Sequence, residues 1–155
     1  MRMRYIAILT AVSGMFAATG LPAQDEDFDG VIRYRQGVMK AQAGHMAALS
    51  QIVRGHVPDP EHRLAELHAR ALVGLLEDLD HWFPEGSDFG ETRAEARIWE
   101  RWDDFHQAYE EAEDRAEALV KAVKKGESKA IAKAFKGLAD ACKACHKDFR
   151  AEEED

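Results

Sequence analysis

Close to the C-terminus of this 155-residue chain stands Cys142-Lys143-Ala144-Cys145-His146, which holds both of its cysteines. Residues three and four apart share one face of a helix. If the segment is helical, Cys142 and Cys145 point the same way and His146 sits one turn beyond Cys142. Two thiols and an imidazole in that arrangement are the C-x-x-C-H attachment signature of haem c. The thiols add across the haem vinyl groups, and the imidazole becomes an axial iron ligand. Two other uses of C-x-x-C compete with this one. A thioredoxin-type redox pair opens a helix in a βαβ setting, and no βαβ pattern is visible. A structural zinc site needs four ligands, and the chain has no second cysteine pair.

The other end points to export. The chain opens Met1-Arg2-Met3-Arg4, runs apolar from Tyr5 to about Ala18, and continues in small residues to Ala23. A basic start, a short apolar core and a small-residue exit describe a secretory signal peptide. Broken by Gly14, the run falls short of the ~20 apolar residues of a membrane anchor, the competing reading. Cleavage after Ala23 leaves 132 residues, Gln24 to Asp155, enough for one domain with a real core. Their 19 basic and 29 acidic residues give a net charge of −10. That charge disfavours nucleic acid and anionic membranes and suits a soluble protein meeting basic partners. Export would ordinarily predict a disulfide. Haem thioethers use both thiols and leave none to oxidise.

Four amphipathic segments follow. Phe28, Val31, Ile32, Val38, Met39, His45, Met46, Leu49, Ile52 and Val53 keep helical spacing up to Gly55 and the stretch from Pro58 to Pro60. Asp59-Pro60-Glu61 reads as an N-cap, a first-turn proline and a first-turn acid. Behind it, Leu64, Leu67, Ala71, Leu72, Leu75, Leu76 and Leu79 carry a second helix, which ends in the turn-rich stretch from His81 to Gly90. The aromatic residues of that stretch predict that it packs down. Ile98, Trp99, Trp102, Phe105, Tyr109, Ala112, Ala116 and Leu119 form a third helix, closed by Lys124-Lys125-Gly126. Ser128 can cap a fourth, where Ile131, Phe135, Leu138, Cys142, Cys145 and Phe149 alternate steps of four and three. The cysteines therefore lie in its core seam. An all-α, antiparallel four-helix bundle is expected, with haem between the last helix and its neighbours.

Several stretches now resemble the class II c-type cytochromes, the family of cytochrome c′. They are Tyr34-Arg35-Gln36-Gly37-Val38-Met39, Phe83-Pro84-Glu85-Gly86-Ser87, Ile98-Trp99, and the segment from Cys142 to Arg150. The resemblance runs through essentially the whole mature chain, in the family order. It implies a periplasmic bundle carrying one haem c, often a homodimer packed through its first two helices. It implies thioethers at Cys142 and Cys145 and His146 as proximal ligand. Arg35 and Gln36 match positions against the haem and its propionates, and Arg150 matches a basic position near the proximal imidazole. Glu91 and Thr92 match a loop that reaches the haem edge, although its length varies in the family.

Met39, four residues after Arg35, matches the distal position. Bound to iron, its thioether gives low-spin iron suited to electron transfer. Held off the iron, it is an apolar lid over an open site for NO or CO. As core filler, it has the usual fate of a helical methionine. Ligation is the reading taken forward. His45 is the other candidate ligand, and it reads instead as a packed or edge histidine. His56, His62, His68, His81 and His106 read as surface, and Trp82, Trp99 and Trp102 as core anchors. An electron carrier meeting periplasmic redox partners through their basic patches is the expected function, with gas binding as the alternative. An enzyme ranks last, because no acid/base pair stands at a recognisable spacing from the motif.

Overall fold

The computed structural model describes residues 28–152; the expected leader, 1–23, lies outside them. Among these residues six helices form: α1 (Asp29–Val53), α2 (Arg63–Gly74), α3 (Leu79–Trp82), α4 (Arg97–Glu100), α5 (Trp102–Lys125) and α6 (Ser128–Phe149). The single turns α3 and α4 interrupt the connection from α2 to α5. The long helix α1 packs on α2, α2 on α5, α5 on α6, and α6 back on α1. That ring is an all-α four-helix bundle.

The interior follows the expected spacing most closely in α5 and α6. Phe105, Tyr109, Ala112, Ala116, Leu119 and Val123 are all buried on α5. Steps of four and three keep one stripe facing the partner along both helices. Gly126 ends α5 at φ +75°, a left-handed cap that glycine adopts without strain. Its amide donates back to the Ala122 and Val123 carbonyls, and two residues later α6 begins.

The second helix departs from its apolar pattern. Leu64 and Leu67 are 43% and 61% exposed, while Ala65, Ala69 and Leu72 face inward. Apolar spacing alone does not separate an inward alanine from an outward leucine one position away. The helix also starts later than Asp59-Pro60-Glu61 suggests. His62, left-handed at φ 56°, precedes its first residue. Asp59 still caps it from a distance: its carboxylate accepts from the Leu64 and Ala65 amides at 3.2 and 2.8 Å. His62 Nε2 lies 3.0 Å from the Gly126 carbonyl, which ties the α1–α2 turn to the α5–α6 turn. At its other end α2 stops at Gly74, so Leu76 and Leu79 are buried from a turn and from α3 instead.

Two further expectations change. Ser128 does not cap α6: it is the first helical residue, and Glu127 precedes it without a side-chain cap. The third helix breaks at Arg101 (φ −130°, ψ 50°), separating α4 from α5. The break leaves Trp99 free to turn its indole N–H to the Phe83 and Pro84 carbonyls, both at 3.0 Å. On the far side, Trp102 packs against Phe105 and His106.

Candidate functional site

Cys142, Cys145 and His146 sit on one side of α6, each half-buried. Both thiols are free and pack against the main core, as does Met39 from α1. Burial raises the pKa of Cys142 and, with Cys142 and Asp148 nearby, pushes that of Cys145 up to about 11. Both therefore stay protonated thiols. Burial, then Arg150 and Arg93, pushes the His146 imidazole down. A neutral imidazole is the form that binds a metal.

The chain around α6 holds this face in place. After α3, the connection crosses to the end of α6 and pairs with it. Glu95 N–H donates to the Phe149 carbonyl at 3.2 Å, and Ala151 N–H donates to the Arg93 carbonyl at 2.9 Å. The Arg93 side chain adds a bond from Nε to the Ala151 carbonyl at 2.9 Å.

From α1, Arg35 reaches into the same connection. Arg35 is 3% exposed, and its guanidinium donates to the Trp82 carbonyl (3.1 Å), Ser87 Oγ, the Ser87 carbonyl and Thr92 Oγ1 (each 2.9 Å). It also lies 4.6 Å above the Phe83 ring. All four acceptors are neutral, so a buried positive charge is solvated by dipoles. Burial lowers its pKa to about 10, which leaves it charged at neutral pH. Gln36, beside it, donates from Nε2 to the Glu91 carbonyl at 2.6 Å. The residues singled out in the sequence thus form two groups: the thiols with Met39, and Arg35 and Gln36 with Thr92 and Glu91.

Tyr109 of α5 was not among them. Its hydroxyl is buried without a well-formed hydrogen bond among the described residues, although the Gln42 side chain lies near enough to offset part of the effect of burial. Burial pushes its pKa well up, so it remains a neutral hydroxyl. The sequence held one signal for it, a polar-tipped side chain at a seam position. Two open grooves of about 350 and 340 Å³ run beside α2, one along Asp59, Pro60 and Leu64 and one between Val73 and Val120. Neither is lined by a cysteine.

The Cytochrome C' family model matches residues 30–150. This chain belongs to the cytochrome c′ family. A cytochrome c′ of Pararhodospirillum photometricum is 37% identical over 120 residues, which is 77% of this chain and 94% of the relative. The structure resembles cytochrome c prime from Shewanella frigidimarina with a TM-score of 0.76 at 28% identity, covering 82% of this chain and 98% of that one. The nitric oxide complex of a cytochrome c prime variant from Alcaligenes xylosoxidans shares the fold, with a TM-score of 0.74 at 24% identity over 81% of this chain and 96% of that one.

Members of the family bind one covalently attached haem c. The residues present fit that group. Two protonated thiols stand three apart on a core-facing helix, and a neutral imidazole follows them. The buried Tyr109 hydroxyl, without a well-formed hydrogen bond among the described residues, lies in the core against which the thiols pack. A porphyrin edge bearing carboxylates would also give the Arg35 charge an anionic neighbour.

Proposed function

We propose that this cytochrome c′ family member is a periplasmic haem c protein acting in electron transfer through Fe(III)/Fe(II) cycling, delivered by the leader at 1–23. One observation supports this above the others: the two thiols of α6 and the Met39 thioether of α1 border a single core. In this reading Cys142 and Cys145 carry the thioethers, His146 is the proximal ligand, and Met39 is the sixth. Bound haem supplies a one-electron couple and, where the sixth position is open, a place for a small ligand. The chain's own residues bind and tune. Burial keeps His146 neutral, and Arg35 holds a fixed positive charge where it can meet a propionate. Tyr109 offers a buried hydroxyl without a well-formed hydrogen bond among the described residues. The acidic surface steers basic redox partners toward it.

The nitric oxide complex of the Alcaligenes relative favours a second reading, in which Met39 is a lid over an open iron and NO or CO is the ligand. Neither reading calls for catalytic residues. Visible spectra of the reduced protein separate them. Ligation by Met39 predicts sharp low-spin bands that CO changes little, and Met39→Ala should convert them to a broad, CO-responsive high-spin spectrum. A wild-type spectrum that is already broad and shifts with CO would transfer the assignment to gas binding.

A further inference from the structure

Where α1 packs on α2, His45 and His68 face each other. Their Nδ1 atoms are 2.9 Å apart, their ring centroids 5.1 Å apart, and their planes meet at 57°. Both residues lie well inside long helices, so helix packing fixes their separation rather than a loop. Both are half-buried, which leaves part of the pair within reach of water. The haem reading uses neither residue.

We propose that His45 and His68 form a two-imidazole binding site for a divalent transition-metal ion, copper(II) above the others. The distance carries the argument. Imidazole nitrogens bind such ions at about 2.0–2.1 Å, so two of them subtending a right angle lie about 2.9 Å apart, and two at a tetrahedral angle about 3.3 Å. The separation as it stands therefore matches a cis edge of a tetragonal centre, the geometry that copper(II) and nickel(II) prefer, and a small turn of the rings would aim both lone pairs at one ion. Zinc, with its tetrahedral preference, would need the two helices to spread. Copper(II) also stands highest in the affinity order for nitrogen ligands.

At 2.9 Å the two facing nitrogens share one hydrogen between them. When the ion takes the place of that hydrogen, the hydrogen passes through solvent to the bare Nε2 of the donor ring, so each ring presents its Nδ1 lone pair and carries its hydrogen on Nε2. Water completes the coordination from the open side. A pair joined only by its hydrogen bond would have the same separation, so binding decides between the two.

The experiment is a calorimetric titration of the haem-loaded protein with copper(II), run on wild type, His45→Ala, His68→Ala and His68→Gln. His56→Ala and His106→Ala serve as controls, because His56 is bonded to Gln51 and His106 stands 3.5 Å from Glu110. A visible spectrum matching wild type shows that each variant is folded. Wild type should take up one ion per chain at this site, with a copper EPR signal split by two nitrogens. Removing either histidine removes a ligand, and affinity should fall by about tenfold or more, the range seen even for residues that only support a ligand. His68→Gln keeps a side chain able to hydrogen-bond His45 but offers no imidazole, so it should lose the ion as His68→Ala does. The controls should bind as wild type does. Wild-type affinity in any of the three site variants, or an equal loss in the controls, would overturn the assignment.

Discussion

Arg35 shows most directly how one side chain shapes this protein. Four oxygens from α3, the following connection and Thr92 converge on its guanidinium. Replacing it with Met would bury those acceptors without a donor. The cost should be about 3 kcal/mol, the scale of losing several charge-assisted bonds in a site that relaxes only partly. Arg35→Lys should recover little, because one ammonium cannot match the planar fork. Denaturant midpoints of the haem-loaded variants check both. His68 governs a pH response instead. Burial, then His45, lowers its pKa below the ordinary value. The unfolded chain, with a histidine pKa near ~6.5, takes up a proton that the fold resists. Stability should therefore decline as pH falls through that value and recover above it. The decline between about pH 7 and 5 should flatten in His68→Gln, which thermal melts across that range would show.

Among the elements, α6 joins core residues and the attachment motif on a single face. Ile131, Leu138 and Phe149 are buried along it, with Phe135, Cys142 and Cys145 packed against the same core. Leu138 is 1% exposed, so Leu138→Ala should cost about 2–5 kcal/mol, depending on how far its surroundings collapse. A loss below about 0.5 kcal/mol, the size of an ordinary surface substitution, would mean that α6 is not seated as described. The periodicity of α5 and α6 is plain in the sequence because large residues, Phe105, Tyr109 and Leu119 on one and Ile131, Leu138 and Phe149 on the other, flank the small ones along each inward stripe. In α2 the inward positions include two alanines, and small residues give a weak signal. Leu64 and Leu67 consequently read as core and turn out to be largely exposed. Asp59 keeps its capping role, yet a left-handed His62 delays the helix, a backbone choice that propensity alone does not predict.

Taken whole, the bundle is a ring of four helices tied at one end by the loop from α3 to α4, which bonds both α1 and the C-terminal end of α6. Covalent haem would complete its interior. Cys142→Ser combined with Cys145→Ser should abolish haem staining on denaturing gels. The resulting protein should melt without a cooperative transition, since its core lacks the largest apolar body it is shaped to hold. A sharp, native-like melt of that double variant would show that the bundle stands without its cofactor.

Spacing in the chain is enough to determine the class of the fold, the core seams of α5 and α6, and the placing of two thiols and an imidazole on one helix. These follow from local geometry, because residues three and four apart share a face whatever the rest of the molecule does. Tertiary packing decided what depends on distant segments meeting. Arg35 finds its acceptors 47 to 57 residues away, Tyr109 has its hydroxyl buried in the core, and His45 meets His68 from another helix. Read one at a time, those last two histidines are an edge residue and a surface residue. Only the crossing of α1 and α2 makes them a pair.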